Sequence, residues 1–541
     1  MGLAGSTDLV EEFKQESSKG PVQPRSCVLL WLLVPLTLYF AISRQSLWMD
    51  EGYTVWFASH DGFRSFFRSL IGSPGSPGDP QMLFYLSYMW GWVKIFGRSE
   101  EALRAANIPF FMLLIVSAEW ASRRLLQQPY LWALFCLSPF VWFYLNEARP
   151  YAALTSFSTA ALVALLAYVV HPAEHRSWAP WCCLIATLFA CGSHILGVFL
   201  IPSMVVLVAE TARTDPSFRR SFWRDWWRPA LSCLPVFAAL GGFYAVVSAY
   251  GVNKTSGSPG LLNMAFVAYE FLGFQGLGPP RNEVRTGIHP NIIVGYWPWF
   301  LIGVVAVATV AVVLLRTRPP KIVRTAFVSL LAGIAIAFAI SRFEHFHVLG
   351  RHMAVFFPLL LLIVMFWLAG SPPERTRRSV AGATLVLALA WSISDARMVL
   401  LPQYKKDDYR DAASIALLKA KTTGAEILWA ADPHAAHYYG IAVMKDHRSS
   451  EIGSPEGLTL LVQRQATDAR HWSLEEARQY LDAREKPVTL VLSKPDLFDT
   501  KHGWQAFIRQ RQLTLVAQPS SFSIYQLERN WSPAASSSPD R

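Results

Sequence analysis

Long apolar runs alternate with short polar connections through about the first 400 residues, and they stop after Leu401. Each run has roughly 17 to 25 residues, the length that a helix needs to cross a hydrocarbon core about 30 Å thick. The pattern predicts spans at 27–47, 103–125, 130–146, 151–170, 178–192, 194–208, 229–250, 292–315, 322–340, 348–368 and 380–400. A further run, 81–96, is ambiguous, because it either crosses the membrane or lies in its interface. We therefore predict a polytopic α-helical membrane protein with about eleven or twelve transmembrane helices.

Composition excludes a soluble enzyme, because 52% of the 541 residues are hydrophobic and only 16% are charged. The six cysteines all lie in or at the ends of apolar runs. This placement excludes a disulfide framework and a CxxC metal site. The net charge of +11 does not indicate nucleic acid as a partner, since the basic residues cluster in the connections between spans, as the positive-inside rule describes.

The same rule orients the chain. The basic connections at 123–124, 175–176, 213–228, 316–324 and 375–378 are predicted to be cytoplasmic. Residues 1–26 are predicted to be a cytoplasmic tail ahead of an uncleaved signal anchor. A first external loop, 48–80, and everything after Leu401 are then external, and the protein is expected to lie in the inner (plasma) membrane of the cell as a multi-pass protein.

The composition becomes that of a soluble domain after the last span. A helical pattern at 408–421 and strand patterns at 426–431, 488–492, 513–517 and 522–527 predict a small C-terminal extracytoplasmic α/β domain over 403–530. Residues 531–541 are rich in Ser, Pro and Ala and are predicted to be a disordered tail. Within a long external connection, 261–274 is amphipathic, which is typical either of a helix in the membrane surface or of a lid packed on the bundle.

The first external loop opens with adjacent acids, Asp50 and Glu51, directly after the first span. A carboxylate at this boundary could reach a polar cavity, where a general base must stand if it takes a proton from a water-borne hydroxyl while the other substrate is lipid-anchored. An ordinary solvated loop or a helix cap is the alternative. Asp79 ends a Gly- and Pro-rich loop and is either a candidate for the same cavity or the cap of the next helix.

Other charged residues lie where lipid disfavours them. Glu147 and Arg149 stand between two apolar runs, and they either pair with each other or face a cavity. His194, between two short runs, is expected to hydrogen-bond internally. Two arginines and three histidines gather at a predicted external connection: Arg342, His345, His347, Arg351 and His352. An anionic group such as a lipid phosphate would explain these basic side chains.

Metal sites have less support. The i, i+2 spacing of His345 and His347 does not put both side chains on one face of a helix, which argues against zinc. A divalent cation at Asp50 and Glu51 stays open, because hard cations prefer carboxylate oxygens, although two adjacent acids are too few ligands to define a site.

The order of these features resembles that of the GT-C superfamily of membrane glycosyltransferases, and specifically of bacterial members related to protein O-mannosyltransferases and lipid A aminoarabinose transferases. The shared features are the acidic pair after the first span, a Pro-containing entry to the next apolar segment, Arg-Pro-Tyr at 149–151, a histidine between short helices, and a late arginine-rich external loop. The resemblance covers 27 to about 400, and an external tail is also common in these families.

The resemblance implies a transmembrane glycosyltransferase domain over 27–402. The implied reaction transfers a sugar from a polyprenyl-phosphate-linked donor on the external side, with inversion at the sugar carbon, to a protein, lipid or polysaccharide acceptor. Asp50 matches the acid that activates the acceptor, with Glu51 beside it and Asp79 as a further catalytic candidate. The candidates for binding the donor phosphate are Arg149, His194, Arg342, Arg351 and His347.

Two departures from the family pattern bear on the donor. Relatives often enter the segment after the first loop with His-Pro-Pro or Lys-Pro, where this chain has Asp79-Pro80-Gln81, and His352 stands where a tyrosine commonly follows the arginine. A lipid or solute transporter or flippase is the alternative function, and a non-catalytic scaffold is a third. A transporter needs neither the acidic pair nor a large external tail, and it usually shows internal repeats, of which this sequence has none.

Overall fold

The computed structural model describes residues 28–73, 76–77, 80–248, 260–284, 290–317, 319–345, 348–370, 374–444, 451–452, 463–483, 486–511 and 513–527. The two predicted tails, Asp79 and His347 lie outside these residues. The chain folds as two compact units. The membrane unit comprises Met1–Ser43, Ser69–Tyr88 and Arg104–Tyr404, and the sheet unit comprises Arg44–Arg68, Met89–Leu103 and Lys405–Arg541.

Helices dominate the chain up to residue 404. The α-helices there are Leu33–Ala41, Met49–Ala58, Phe63–Ile71, Leu83–Phe96, Glu100–Ala105, Ile108–Trp120, Ala133–Cys136, Pro139–Leu145, Tyr151–Val170, Pro172–His175, Ala179–Ser193, Leu200–Thr214, Pro216–Ser248, Leu261–Phe271, Arg281–Val284, Pro290–Val294, Trp297–Leu315, Lys321–Glu344, Phe357–Ala369 and Glu374–Leu400. Short 3-10 helices occupy Leu29–Leu32, Pro80–Met82, Ile195–Phe199, Phe274–Gly276, Gly350–Phe356 and Pro402–Tyr404, and a π-helical turn occupies Ala121–Leu125.

In the part of the chain that the structure describes, eight helical stretches are long and apolar enough to cross a membrane. They are Glu100–Leu125, Tyr151–Val170, Ile195–Thr214, Pro216–Val247, Trp297–Leu315, Lys321–Glu344, Gly350–Ala369 and Arg378–Leu400. Three shorter apolar helices accompany them, Leu29–Ala41, Ala179–Ser193 and Leu261–Phe271. These helices confirm the prediction of a polytopic α-helical membrane protein.

The predicted span at 130–146 is the clearest difference from the sequence pattern. It forms two short helices, Ala133–Cys136 and Pro139–Leu145, with Ser138 extended between them at φ −78° and ψ 121°. Pro139 explains the break, because a proline disfavours helical backbone at the residue before it and lacks an N–H of its own. The ambiguous run at 81–96 forms the 14-residue helix Leu83–Phe96, which at 1.5 Å per residue is about 21 Å long and shorter than the hydrocarbon core.

One face of the helix Leu261–Phe271 is buried. Phe266, Val267, Glu270 and Phe271 are buried, whereas Leu261 at its start is 87% exposed. Burial of this face in the membrane unit favours the second of the two interpretations, a helix packed on the bundle.

The sheet unit contains a seven-stranded mixed sheet, which confirms the predicted small C-terminal α/β domain. Counting two short strands in the first loop as β1 (Gly72–Ser73) and β2 (Ser76–Pro77), its strands are β3 (Glu426–Ala430), β4 (Ile441–Met444), β5 (Glu451–Ile452), β6 (Arg464–Asp468), β7 (Val488–Ser493), β8 (Thr514–Ala517) and β9 (Phe522–Leu527). Its α-helices are Tyr409–Thr423, Pro433–Tyr438, Leu474–Asp482, Pro495–Phe498 and Gly503–Arg511. The strand order is β5-β4-β6-β3-β7-β9-β8.

Strands β4, β6, β3 and β7 run parallel in the middle of this sheet, and antiparallel strands flank them. All six residues of β7 are buried, as its mostly apolar sequence predicts for a strand inside a sheet that is covered on both faces. Both faces carry apolar cores, one around Tyr409 and Trp429 and the other around Leu490 and Trp504.

The sheet unit also includes the start of the first predicted external loop. The helix Met49–Ala58, called the loop helix below, carries Asp50 and Glu51 in its first turn. Met49 packs on the core around Tyr409. Assignment of the loop helix to this unit was not expected from the sequence, which treated the loop and the C-terminal domain as separate parts.

Candidate functional site

Six titratable side chains of the membrane unit interact with one another and are called the connection cluster. They are Glu147, Arg149, His194, Glu270, Arg281 and Arg351. Four of them, Glu147, Arg149, His194 and Glu270, are buried, with at most 8% of each residue exposed. The sequence singled out three of its members as phosphate-binding candidates, Arg149, His194 and Arg351, and the fold brings these three together.

His194 lies at the start of the 3-10 helix Ile195–Phe199, where its Nδ1 accepts a hydrogen bond of 3.1 Å from the backbone N–H of Leu196. Its ring stacks on Tyr151 with centroids 5.9 Å apart. Because Nδ1 is the acceptor, the proton of the neutral ring is on Nε2. Arg149 and Arg351 both act electrostatically on this imidazole.

The turn that carries Glu147 and Arg149 is fixed by a buried amide. Asn107 donates from Nδ2 to the backbone carbonyls of Leu145 at 3.1 Å and Glu147 at 2.5 Å. The backbone N–H of Arg149 also donates to the Glu147 carbonyl, at 2.7 Å. These bonds fix the backbone from which both charged side chains project, which agrees with the idea that this connection serves a site.

Glu270 is fully buried and is held from three sides. Its Oε1 lies 3.5 Å from Nε of Arg281, and its Oε2 accepts a hydrogen bond of 3.4 Å from the Tyr144 hydroxyl. The backbone N–H of Gly350 donates to the same carboxylate. A Cβ at Gly350 would lie 1.7 Å from Oε2 of Glu270, so only glycine allows this approach.

Sequence reasoning missed Glu270, Arg281, Gly350 and Tyr144. A signal for Glu270 was present, because it is the one charged residue in the mostly apolar helix Leu261–Phe271. Gly350 precedes the candidate Arg351, but its role depends on a contact that is distant in sequence.

The remaining phosphate-binding candidates differ from these. Arg342 lies exposed near the end of the helix Lys321–Glu344, and His345 after it is exposed with a left-handed backbone at φ 54°. His347 lies outside the described residues, as does the catalytic candidate Asp79. Of the arginines in this late connection, Arg351 is the one that joins the connection cluster.

In the sheet unit, Asp50 and Glu51 have different surroundings. Glu51 is fully buried, accepts a hydrogen bond of 3.3 Å from the backbone N–H of Trp48, and lies 3.7 Å from the ammonium of Lys406. Asp50 is half-buried, and its backbone carbonyl accepts a hydrogen bond from the Thr54 hydroxyl. The Glu51 carboxylate therefore caps the loop helix, whereas the Asp50 carboxylate is the more accessible of the two.

The residues that could hold a divalent cation do not form a ligand set. Within the described ranges, no group of three or more His, Cys, Asp or Glu side chains could bind a metal ion. Glu51 also has the Lys406 ammonium beside it, and a second cation at that carboxylate would be repelled.

Comparison with known proteins identifies relatives in structure. No family model matches the sequence, and no curated protein matches it either. The structure of ArnT from Cupriavidus metallidurans in the apo state aligns with a TM-score of 0.51 and 14% identity, and it covers 93% of this chain and 98% of that chain. ArnT from the same organism bound to undecaprenyl phosphate aligns with a TM-score of 0.50 and 16% identity over the same shares of the two chains.

The mycobacterial arabinofuranosyltransferase AftD also aligns, with a TM-score of 0.42, 16% identity, and coverage of 94% of this chain and 40% of that chain. The ArnT alignments include the sheet unit as well as the membrane unit, since they leave out only a small part of either protein. The chain therefore has the fold of ArnT over nearly its whole length, which includes the region, 27 to about 400, for which the sequence resemblance implied this fold.

Proposed function

We propose that the protein is a glycosyltransferase that moves a sugar from a polyprenyl-phosphate-linked donor to an acceptor, with inversion at the sugar carbon, on the external side of the membrane. The observation that carries this proposal is the connection cluster, which holds three arginines against two glutamates within a unit of the ArnT fold. ArnT has itself been solved with undecaprenyl phosphate bound.

The charge of the cluster supports an anionic ligand. Burying a charge is costly unless an opposite charge compensates it, and the cluster has one more arginine than glutamates. A phosphate diester carries the charge that is needed. Arginine also suits phosphate better than lysine does, because its planar guanidinium donates two parallel hydrogen bonds. Arg149, Arg351 and the Nε2–H of His194 are the donors that we assign to the lipid phosphate.

In the proposed reaction Asp50 is the general base. The acceptor oxygen forms a bond to the anomeric carbon of the sugar while the bond from that carbon to the phosphate oxygen breaks. The acceptor proton goes to the Asp50 carboxylate, and the electron pair of the broken bond leaves with the polyprenyl phosphate. Positive groups at the phosphate stabilise the charge that develops there. Glu51 has a structural role, since its carboxylate is engaged by Trp48 and Lys406. Asp79, Arg342 and His347 stay candidates from the sequence.

The test is transfer of radiolabelled sugar from a mixed pool of polyprenyl-phosphate sugars in membranes that contain wild-type protein or the variant Asp50→Asn at matched levels. Asp61→Asn is the control, because it makes the same chemical change at an exposed acid of the same loop. We expect a labelled product from the wild type and from the control, and none from Asp50→Asn.

The fraction that carries the label then tells whether the acceptor is a protein, a lipid or a polysaccharide. Equal labelling by wild type and Asp50→Asn would remove Asp50 from the mechanism. Donor lipid that crosses the bilayer of proteoliposomes without any transfer would instead support a flippase. Orientation is tested separately: an alkaline phosphatase fused after Leu527 should be active if the sheet unit is external.

A further inference from the structure

The backbone that leads into the loop helix is tied to the C-terminal domain by the partly buried hydroxyl of Tyr439. The Tyr439 Oη accepts a hydrogen bond of 2.7 Å from the backbone N–H of Leu47 and lies 2.6 Å from Oε1 of Glu100. Because an ionised carboxylate only accepts hydrogen bonds, the hydroxyl donates to Glu100. Burial and this hydrogen bond to Glu100 raise the pKa of Tyr439 far above its ordinary value. The hydroxyl therefore keeps its proton at physiological pH.

Arg410 makes a second tie to the same segment. Its Nη2 donates to the backbone carbonyl of Arg44 at 2.6 Å, and its backbone N–H donates to Oγ of Ser46 at 3.0 Å. Its Nε donates to Oε1 of Glu100 at 3.1 Å. Glu100 thus joins Tyr439 and Arg410, and the two residues together hold both ends of the segment 44–47.

The loop helix itself packs on the short helix Pro433–Tyr438. A Cβ at Gly52 would lie 2.7 Å from the backbone N and Cα of Ala435, so the two backbones are in direct contact. The rings of Tyr53 and Trp56 meet His434 edge to face, with centroids 4.9 and 5.4 Å apart. Since backbone atoms cannot yield as a flexible side chain does, this contact fixes the distance between the two helices.

These ties surround the proposed general base. Asp50 lies three residues after Leu47 and two before Gly52, so hydrogen bonds hold the chain on one side of it and close packing holds it on the other. A base that is displaced by about 1 Å can lose roughly 100-fold in rate. If the segment 44–47 were not held, the loop helix would not keep the Asp50 carboxylate in place to within that distance.

We infer that the C-terminal domain is part of the catalytic apparatus, in that Tyr439, with Glu100 and Arg410, positions the loop helix that carries Asp50. Tyr439 is a positioning residue, because it acts through the backbone of Leu47 rather than on a substrate. The inference rests on the proposed function, in which Asp50 is the general base.

The experiment compares Tyr439→Phe with Tyr438→Phe in the full-length protein in detergent micelles. The control removes a neighbouring hydroxyl of the sheet unit, which donates to the backbone carbonyl of Arg98 at 2.8 Å. We expect Tyr439→Phe to lower kcat about 10- to 100-fold. The Kd for undecaprenyl phosphate should not change, since the connection cluster belongs to the membrane unit. Tyr438→Phe should match the wild type.

Three readouts separate positioning from a general loss of structure. In Tyr439→Phe the amides of 44–50 should exchange hydrogen faster, while those of β3 and β7 should exchange as in the wild type. The melting temperature should stay within a few degrees. If Tyr439→Phe does not fold, Gly52→Ala tests the same inference through the other tie, with Gly62→Ala as the control at an open position of the same loop.

The possible outcomes are distinct. A wild-type kcat in Tyr439→Phe, together with an inactive Asp50→Asn, would overturn the positioning role and leave the proposed function intact. An equal fall in kcat and in donor affinity would also overturn it, because the damage would then extend beyond the loop helix. Full activity in Asp50→Asn would overturn both.

Discussion

Glu270 in the membrane unit and Glu51 in the sheet unit are both fully buried, and each accepts a backbone N–H and faces a cation. Their surroundings differ in how the buried charges pair. Glu51 faces the single ammonium of Lys406, and Asp407, next to that lysine in sequence, faces the ammonium of Lys494. Around Glu270, the two glutamates of the connection cluster meet three arginines.

This difference distinguishes a carboxylate that supports the fold from one that belongs to the proposed phosphate site. Buried charges that pair one to one can hold a structure together, as Glu51 and Lys406 do at the base of the loop helix. A set with surplus positive charge is costly until an anion arrives, and that cost becomes binding energy for a phosphate. Under the proposed function, a buried glutamate that faces a cation thus supports the structure in the sheet unit and belongs to the proposed phosphate site in the membrane unit.

The largest expected effect comes from Gly350→Ala in the membrane unit. The added methyl would overlap Oε2 of Glu270, and it would both overpack the site and break a buried ion pair. Together these should cost about 4 kcal/mol or more of stability and nearly all transfer activity. Thermal unfolding in detergent and the transfer assay measure the two effects.

Gly382→Ala is the matched control, because nothing lies within 4 Å of the added carbon in its helix. It should be neutral or slightly stabilising. Wild-type behaviour of Gly350→Ala would show that Glu270 is not held against this backbone.

Lys406→Met tests the ion pair of Glu51 with Lys406 in the sheet unit. Removing the ammonium leaves the Glu51 carboxylate buried beside no lysine, which should cost about 3 to 5 kcal/mol. The double variant Glu51→Gln with Lys406→Met removes both charges, and its stability should return to within about 1 kcal/mol of the wild type. It should also keep transfer activity if Asp50 alone is the base. A stable but inactive double variant would return Glu51 to the catalytic residues.

The corresponding double variant of the membrane unit, Glu270→Gln with Arg281→Met, tests the charge of the connection cluster. It removes one glutamate and one arginine, so the cluster keeps one more arginine than glutamates, and the Kd for undecaprenyl phosphate should stay close to the wild-type value. Arg281→Met alone removes that surplus and should raise the Kd more. An equal Kd for the two variants would contradict the proposal that the charge of the cluster attracts the phosphate.

Arg351→Gln has a smaller effect that falls on binding. One charge-assisted hydrogen bond to phosphate contributes about 1.5 to 3 kcal/mol, so the Kd for undecaprenyl phosphate should rise roughly 10- to 150-fold. Arg342→Gln, at an exposed arginine in the same connection, should change the Kd less than about 3-fold. The reverse ranking would move the phosphate site towards the end of the helix Lys321–Glu344.

The sequence predicted the class of fold because apolar runs of spanning length follow directly from the thickness of a bilayer. It also singled out Arg149, His194 and Arg351, which the fold brings together, since charged groups between apolar runs need a reason to be there. It could not reveal that Gly350, which has no side chain, makes room for Glu270, or that the Tyr439 hydroxyl accepts a hydrogen bond from Leu47. These contacts join residues that are 80 and 392 positions apart in the sequence. The break at Pro139 was readable from the residue type, but a long apolar run concealed it.

The smallest expected effect comes from a third buried acid, Asp395, near the end of the helix Glu374–Leu400. It is 2% exposed, and neither carboxylate oxygen has a hydrogen-bond partner within the described ranges. Within those ranges, Asp395 therefore has neither a paired cation, as Glu51 has, nor several hydrogen-bond partners, as Glu270 has. Asp395→Asn keeps its shape and removes only an ionisable group, so transfer activity should stay within about 2-fold and the melting temperature should be unchanged or higher. A large loss of activity with unchanged stability would show that a buried acid can serve the reaction without a hydrogen-bond partner. The pairing of charges would then no longer distinguish a structural carboxylate from a functional one.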